Sequence, residues 1–145
     1  MKKIFAIALA TVLSTVAIAN LSSAPAHPTS SKQATNSAAT EVTFSEQTFK
    51  ALQAENASIL IDVSATWCGT CKKQHQVMKE YFAKNRDSKI HVLTVDYDDQ
   101  KEWVRYFKAP RQSTLVLYKG KTELNRVIAQ TNKDKLFEFM EQGEI

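Results

Sequence analysis

From Glu41 onward the apolar positions follow two alternating periods. "SILIDVSA", residues 58–65, is a run rich in β-branched residues and predicts a buried central strand. "KIHVLTVDY", residues 89–97, predicts a second. Between them, "KKQHQVMKEYFAKN" places Val77, Met78, Tyr81 and Phe82 at helical spacing, in a helix expected to begin at Cys68 and Cys71. Upstream, "EVTF" predicts a short strand. Ser45 is placed to cap a helix through "EQTFKALQAENA", with Phe49 and Leu52 on one face. Downstream, "DQKEWVRYFK" predicts a short amphipathic helix carrying Trp103, Val104 and Phe107. "STLVLYKGKTELNRVIAQ" predicts two strands joined at Lys119-Gly120-Lys121. "TNKDKLFEFMEQG" predicts a closing helix capped by Thr131 or Asn132, with Leu136, Phe137 and Met140 facing inward. The order β, α, β, α, β, α, β, β, α implies an α/β fold in which a central mixed sheet carries helices on both faces. Residues 42–145 form the expected domain.

The segment before this domain follows neither period. Met1-Lys2-Lys3 is a basic start, and Ile4 to Ala19 is an almost uncharged apolar run. Ala17-Ile18-Ala19 fits a small-x-small cleavage site, and Ala24-Pro25-Ala26 offers a second. This is the pattern of a secretory signal peptide over residues 1–19, cleaved after Ala19 or Ala26. The run is shorter than the roughly 20 residues that span a bilayer. Residues 20–41, rich in Ser, Thr, Ala and Pro, predict a flexible linker that includes His27. The net charge of +4 would fall to +2 on loss of Lys2 and Lys3. Such mild charge, scattered among acids, gives no footprint for nucleic acid. The expected location is periplasmic or secreted.

The chain has two cysteines, both in "ATWCGTCKK". A helix N-terminus carries unsatisfied N–H groups and favours a thiolate, so Cys68 is expected to be exposed and reactive there, with Cys71 one turn deeper. In a redox pair, Cys68 would attack a substrate disulfide and Cys71 would resolve the mixed disulfide. A structural bridge would ordinarily join cysteines far apart in sequence. The alternative is metal handling: Cys68, Cys71 and His75 lie at i, i+3 and i+7, roughly one helical face, and suit copper(I) or zinc. A closed zinc site wants four ligands, and outside this stretch only His91 remains in the folded part. Asp62, six residues before Cys68 in an apolar strand, is costly to bury as a carboxylate. It is either a general base able to take a proton from Cys71 or an aspartate that hydrogen-bonds backbone at a strand end.

"ILIDVSATWCGTCK" resembles the signature of the thioredoxin family, and the resemblance extends through "STLVLYKGK" to the closing helix. It implies a thioredoxin fold and a protein-disulfide oxidoreductase with no cofactor and no metal. It implies Cys68 as nucleophile, Cys71 as resolving cysteine, Asp62 as its helper and Trp67 beside the substrate groove. Disulfide-containing proteins would be substrates, a membrane thiol reductase the electron donor, and the protein a monomer without nucleic-acid partners. Four positions depart from the family pattern. Ser113 stands where thioredoxins carry a cis-proline, and a trans bond is expected before it. Gln112, Ser113 and Thr114 are left as the candidate loop contacts for a substrate chain. Thr70 replaces the proline often found between the cysteines. Thr94 stands in place of a buried lysine near the aspartate, and Ala129 in place of a glycine bordering the docking surface. Gly69-Thr70 lacks the histidine that stabilises thiolate in strong oxidants, which favours a reductase or isomerase.

Overall fold

The computed structural model describes residues 41–145, so the expected signal peptide, cleavage sites and nearly all of the linker lie outside the described residues. The elements follow the expected order: β1 (Val42–Thr43), α1 (Glu46–Ala54), β2 (Ser58–Ser64), α2 (Gly69–Lys84), β3 (Ile90–Asp96), α3 (Lys101–Tyr106), β4 (Thr114–Lys119), β5 (Thr122–Ile128) and α4 (Lys133–Glu141). The sheet order is β1-β3-β2-β4-β5. β2 runs parallel to β3 and antiparallel to β4, so the most apolar strand lies at the centre, and all seven of its residues are buried.

Strand parity divides the interior. Ile59, Ile61 and Val63 of β2 face one core with Phe44, Phe49 of α1, Val104 of α3 and Phe107 at the end of that helix. Leu60 faces the other, with Met78 and Tyr81 of α2 and Leu136, Phe139 and Met140 of α4. Asp62 shares the parity of Leu60 and therefore projects toward α2. The first core is lined by aromatic rings in tilted and edge-to-face contact, including Phe44–Trp103 with centroids 4.7 Å apart and Phe49–Phe107 at 5.3 Å.

Several boundaries differ from those expected. α1 stops at Ala54 because Asn56 takes a left-handed φ of 53°. In α4 the buried set is Leu136, Phe139 and Met140, one helical face at i, i+3, i+4. Phe137 lies at the margin of that face, half-buried, edge-on to Tyr81 and under the ammonium groups of Lys84 and Lys133. Caps follow the sequence closely: the Ser45 side chain accepts from the Thr48 amide, and Asn132, rather than Thr131, accepts from the Lys135 amide. Gly120 turns the β4–β5 hairpin with φ +54°, and its amide donates to the Ala57 carbonyl at 2.8 Å.

Candidate functional site

The two cysteines sit where the central strand hands over to α2. Cys68 is the N-cap of α2, in extended conformation, and its Sγ accepts from the Cys71 amide at 3.1 Å. A disulfide joins Cys68 and Cys71 across a Cα separation of 5.3 Å. The helix behind it is 16 residues long, so the pair occupies the positive end of a substantial dipole. Cys68 is only 3 % exposed, which corrects the expectation of an open nucleophile. The cause is tertiary: Ala65 and Tyr97 pack against the pair, and the Ser113 hydroxyl closes over both sulfurs. The opening beside the pair is at Gly69, where an added Cβ would meet nothing within 4 Å.

Trp67 presents the apolar surface at this mouth. It is 60 % exposed, yet its indole N–H donates to Asp98 at 2.7 Å. Asp98 lies in a turn after β3 that is built by the Asp96 carboxylate, which accepts from the amides of Asp98 and Asp99. The acid-rich "DYDD" stretch was the only sequence signal for this anchor.

The loop candidates are unequal. Ser113 is fully buried with φ +63°; its amide donates to the Val63 carbonyl and its carbonyl accepts from the Ala129 amide, each at 2.8 Å. Ala129 itself adopts a φ of 53° to make that bond. Thr114 is buried between β2 and β5, and its hydroxyl donates to the Arg111 carbonyl. With the backbone of Ser113 and Thr114 already paired inside the sheet, Gln112 is the loop residue left half-exposed and, among the described residues, without an internal hydrogen bond.

Asp62 is completely buried and lies mid-strand, bonded to a side chain and not to backbone. One carboxylate oxygen meets His75 Nε2 at 2.6 Å; the other has no partner among the described residues. Burial pushes the Asp62 carboxyl up, against the opposing pull of His75. The Asp62 hydrogen bond, outweighing burial, holds the His75 imidazole above its ordinary value. Together the pair retains one proton toward neutral pH. The i+7 spacing had grouped His75 with the cysteines; in the structure its Nε2 is engaged by Asp62. His75 also opens onto a surface cleft lined by Glu41, Met78, Lys79, Phe82 and Val92. Glu41, Asp62 and His75 bring one ligand-type atom each to within 4.8 Å of one another, the set among the described residues best placed to hold a cation. A hydrogen bond links two of the three, Asp62 and His75. Thr94, expected to leave Asp62 without a lysine, donates to Glu41 at 2.9 Å. Gln74, also fully buried, reaches the Ser113 carbonyl with its amide nitrogen at 3.4 Å and leaves its oxygen unpartnered.

A family model described as Thioredoxin matches residues 40–142. Thioredoxin H2-1 from Oryza sativa is 36 % identical over 78 residues, a match spanning 54 % of this chain and 54 % of that protein. A thioredoxin from Mycobacterium bovis is 33 % identical over 81 residues, covering 56 % of this chain and 69 % of the relative. Among solved structures, Trxlp from Edwardsiella tarda superposes with a TM-score of 0.66 at 34 % identity, over 70 % of this chain and 98 % of that one.

Proposed function

The chain belongs to the thioredoxin family, and on that premise we propose that it is an exported thiol–disulfide oxidoreductase that reduces or isomerises disulfides in protein substrates. The observation that carries this function is the Cys68–Cys71 disulfide capping α2, flanked by exposed Trp67 in its own loop and by Gln112 next to Ser113. The Cys68 thiolate attacks one sulfur of a substrate disulfide. A mixed disulfide forms and the other substrate sulfur leaves as a thiolate that takes a proton from water. Cys71, its proton passed toward Asp62, then attacks the Cys68 sulfur. The Cys68–Cys71 bond forms, the second substrate thiolate leaves, and two electrons have moved from the dithiol to the substrate. Gln112 offers its free backbone to an extended substrate chain. Return to the dithiol requires a dithiol donor, in an exported protein a membrane thiol reductase.

The test is the reduction potential of the pair, measured on the metal-free mature protein by equilibration with glutathione buffers. A value toward the thioredoxin end of the scale, about −270 mV, supports a reductase. A value near the strongly oxidising end, about −120 mV, overturns the direction of electron flow. Failure to form the intramolecular disulfide overturns the redox function itself. Export rests on the basic start and apolar run of residues 1–19 and is tested by fractionation. The expected product is an extracytoplasmic protein beginning after Ala19 or Ala26; a cytoplasmic chain retaining Lys2 and Lys3 would refute it.

A further inference from the structure

Ser113 touches the reacting atoms. Its Oγ lies 3.1 Å from Cys71 Sγ and 3.3 Å from Cys68 Sγ. The sulfurs of a disulfide carry no proton, so the hydroxyl is the donor in both contacts. Ser113 is fully buried, and among the described residues its hydroxyl has no other partner. Its one proton is therefore directed at the sulfurs.

The backbone holds the hydroxyl there. The Ser113 amide is bonded to Val63 of β2, and its carbonyl to Ala129 and to Gln74 of α2. Proline could not take this place without rebuilding the loop. It has no N–H for the Val63 carbonyl, and its ring fixes φ near −65°, whereas Ser113 sits at +63°. The departure from the family pattern thus exchanges an inert ring for a hydrogen-bond donor aimed at the disulfide.

Resting on the oxidoreductase function above, we infer that Ser113 is a catalytic residue whose hydroxyl serves as a shared donor to the two sulfurs, supporting each as it carries negative charge. In the dithiol state it donates to the Cys68 thiolate alongside the Cys71 amide, which already reaches that sulfur at 3.1 Å. Once Cys68 is bonded to the substrate its charge is gone. Rotation about the Cβ–Oγ bond then turns the same proton to Cys71, the sulfur that must ionise next. When Cys71 closes the disulfide, the electron pair leaves on the substrate sulfur and the hydroxyl returns to lie between two neutral sulfurs, as in this structure. Ser113 itself gains and loses no proton.

The experiment compares wild type with Ser113→Ala, which removes the donor, and Ser113→Gly, which also removes it while suiting the positive φ. Ser113→Thr keeps the hydroxyl. The readout is the pH dependence of iodoacetamide alkylation of Cys68 in the reduced proteins, with the reduction potential measured in parallel. A hydrogen bond to a charged group has an effect of roughly one pH unit or more, so Ala and Gly should shift the alkylation midpoint upward by about that much. A tenfold loss of thiolate stabilisation makes the potential about 30 mV more negative. Ser113→Thr, less stable because a β-branched side chain is strained at this positive φ, should keep the wild-type midpoint where it folds. A purely structural role would lower the melting temperature without moving the midpoint. The assignment is overturned if a folded Ala or Gly variant keeps the wild-type midpoint. It is equally overturned if wild-type Cys68 titrates no lower than a free thiol, about 8.5, a measurement that needs no variant. If the wild-type protein exchanges with no disulfide at all, the oxidoreductase function falls and this assignment with it; if it exchanges and the variants match it, only the role of Ser113 falls.

Discussion

Replacing His75 with alanine should destabilise the oxidised protein in a pH-dependent manner. Asp62 is completely buried and, among the described residues, His75 is the only hydrogen-bond partner of its carboxylate. Without the imidazole, the carboxyl in its apolar setting must stay neutral. Folding then requires proton uptake at any pH above 3.8, the ordinary value of an aspartate in the unfolded chain. That costs about 1.4 kcal/mol per pH unit. In wild type the pair already holds one proton, which the unfolded histidine also holds below its ordinary value of 6.5. The pair's contribution to wild-type stability is therefore nearly level between these two values, while the contribution of Asp62 in the variant falls. Above 6.5 the unfolded histidine releases its proton and wild type declines as well. The signs agree: both groups are raised in the folded state, so their contribution is present at low pH and lost as pH rises through the folded values. The gap between wild type and His75→Ala should open from pH 4 to 6.5 and then level off, reaching at most about 3–4 kcal/mol. This agrees with the cost of orphaning one member of a buried pair. Urea unfolding at half-unit pH intervals measures the gap. Asp62→Asn, which leaves nothing to ionise, should remove its pH-dependent part in the double variant. A gap of equal size at pH 4.5 and 7, or one undiminished beside Asp62→Asn, would refute the reasoning.

Three further outcomes follow from the geometry. Cys71→Ser should trap a covalent mixed disulfide with a disulfide substrate, visible by mass spectrometry, whereas Cys68→Ser should trap none. Asp98→Ala frees the Trp67 indole from its anchor and should raise KM for a protein substrate several-fold while leaving kcat and the Cys68–Cys71 potential near wild type; an unchanged KM would remove Trp67 from the binding surface. Gly120→Ala should cost roughly 1–3 kcal/mol in urea unfolding, since the new Cβ meets Asn56 Oδ1 at 2.5 Å and its Cα at 3.3 Å on a backbone with φ +54°. Stability within 0.5 kcal/mol of wild type, about the usual range for harmless surface changes, would show that the hairpin relaxes freely.

The order of elements and the location of the cysteines were legible because both depend on local signals. The β-branched run of β2, the helical stripe of α2 and the Ser45 cap each lie within one stretch of chain. The relations that give the site its character lie between stretches. Asp62 meets His75 only because β2 parity turns the carboxylate toward α2 and α2 turns His75 back over the strand. Cys68 is buried because a residue 45 positions away closes over it, and no feature of "WCGTCK" carries that information. The departure at Ser113 was visible as a missing proline. Its positive φ, and hence the aim of its hydroxyl, depends on bonds to Val63 in β2 and to Ala129 just past the end of β5. Phe137 and Phe139 were interchangeable by composition, and the docking of α4 with Leu136, Phe139 and Met140 turned inward chose between them.

The chain's two tryptophans are placed in opposite settings. Trp67 stands in solvent directly before the disulfide, while Trp103 is half-buried among Phe44, Tyr106 and Phe107 on the far side of the sheet. A disulfide quenches the emission of an adjacent indole. Trp67 fluorescence should therefore brighten on reduction, while Trp103 emission shifts when the aromatic core comes apart. The molecule carries separate optical reporters of electron transfer and of folding. Trp103→Phe would isolate the first and Trp67→Phe the second, so both processes can be followed in unlabelled protein.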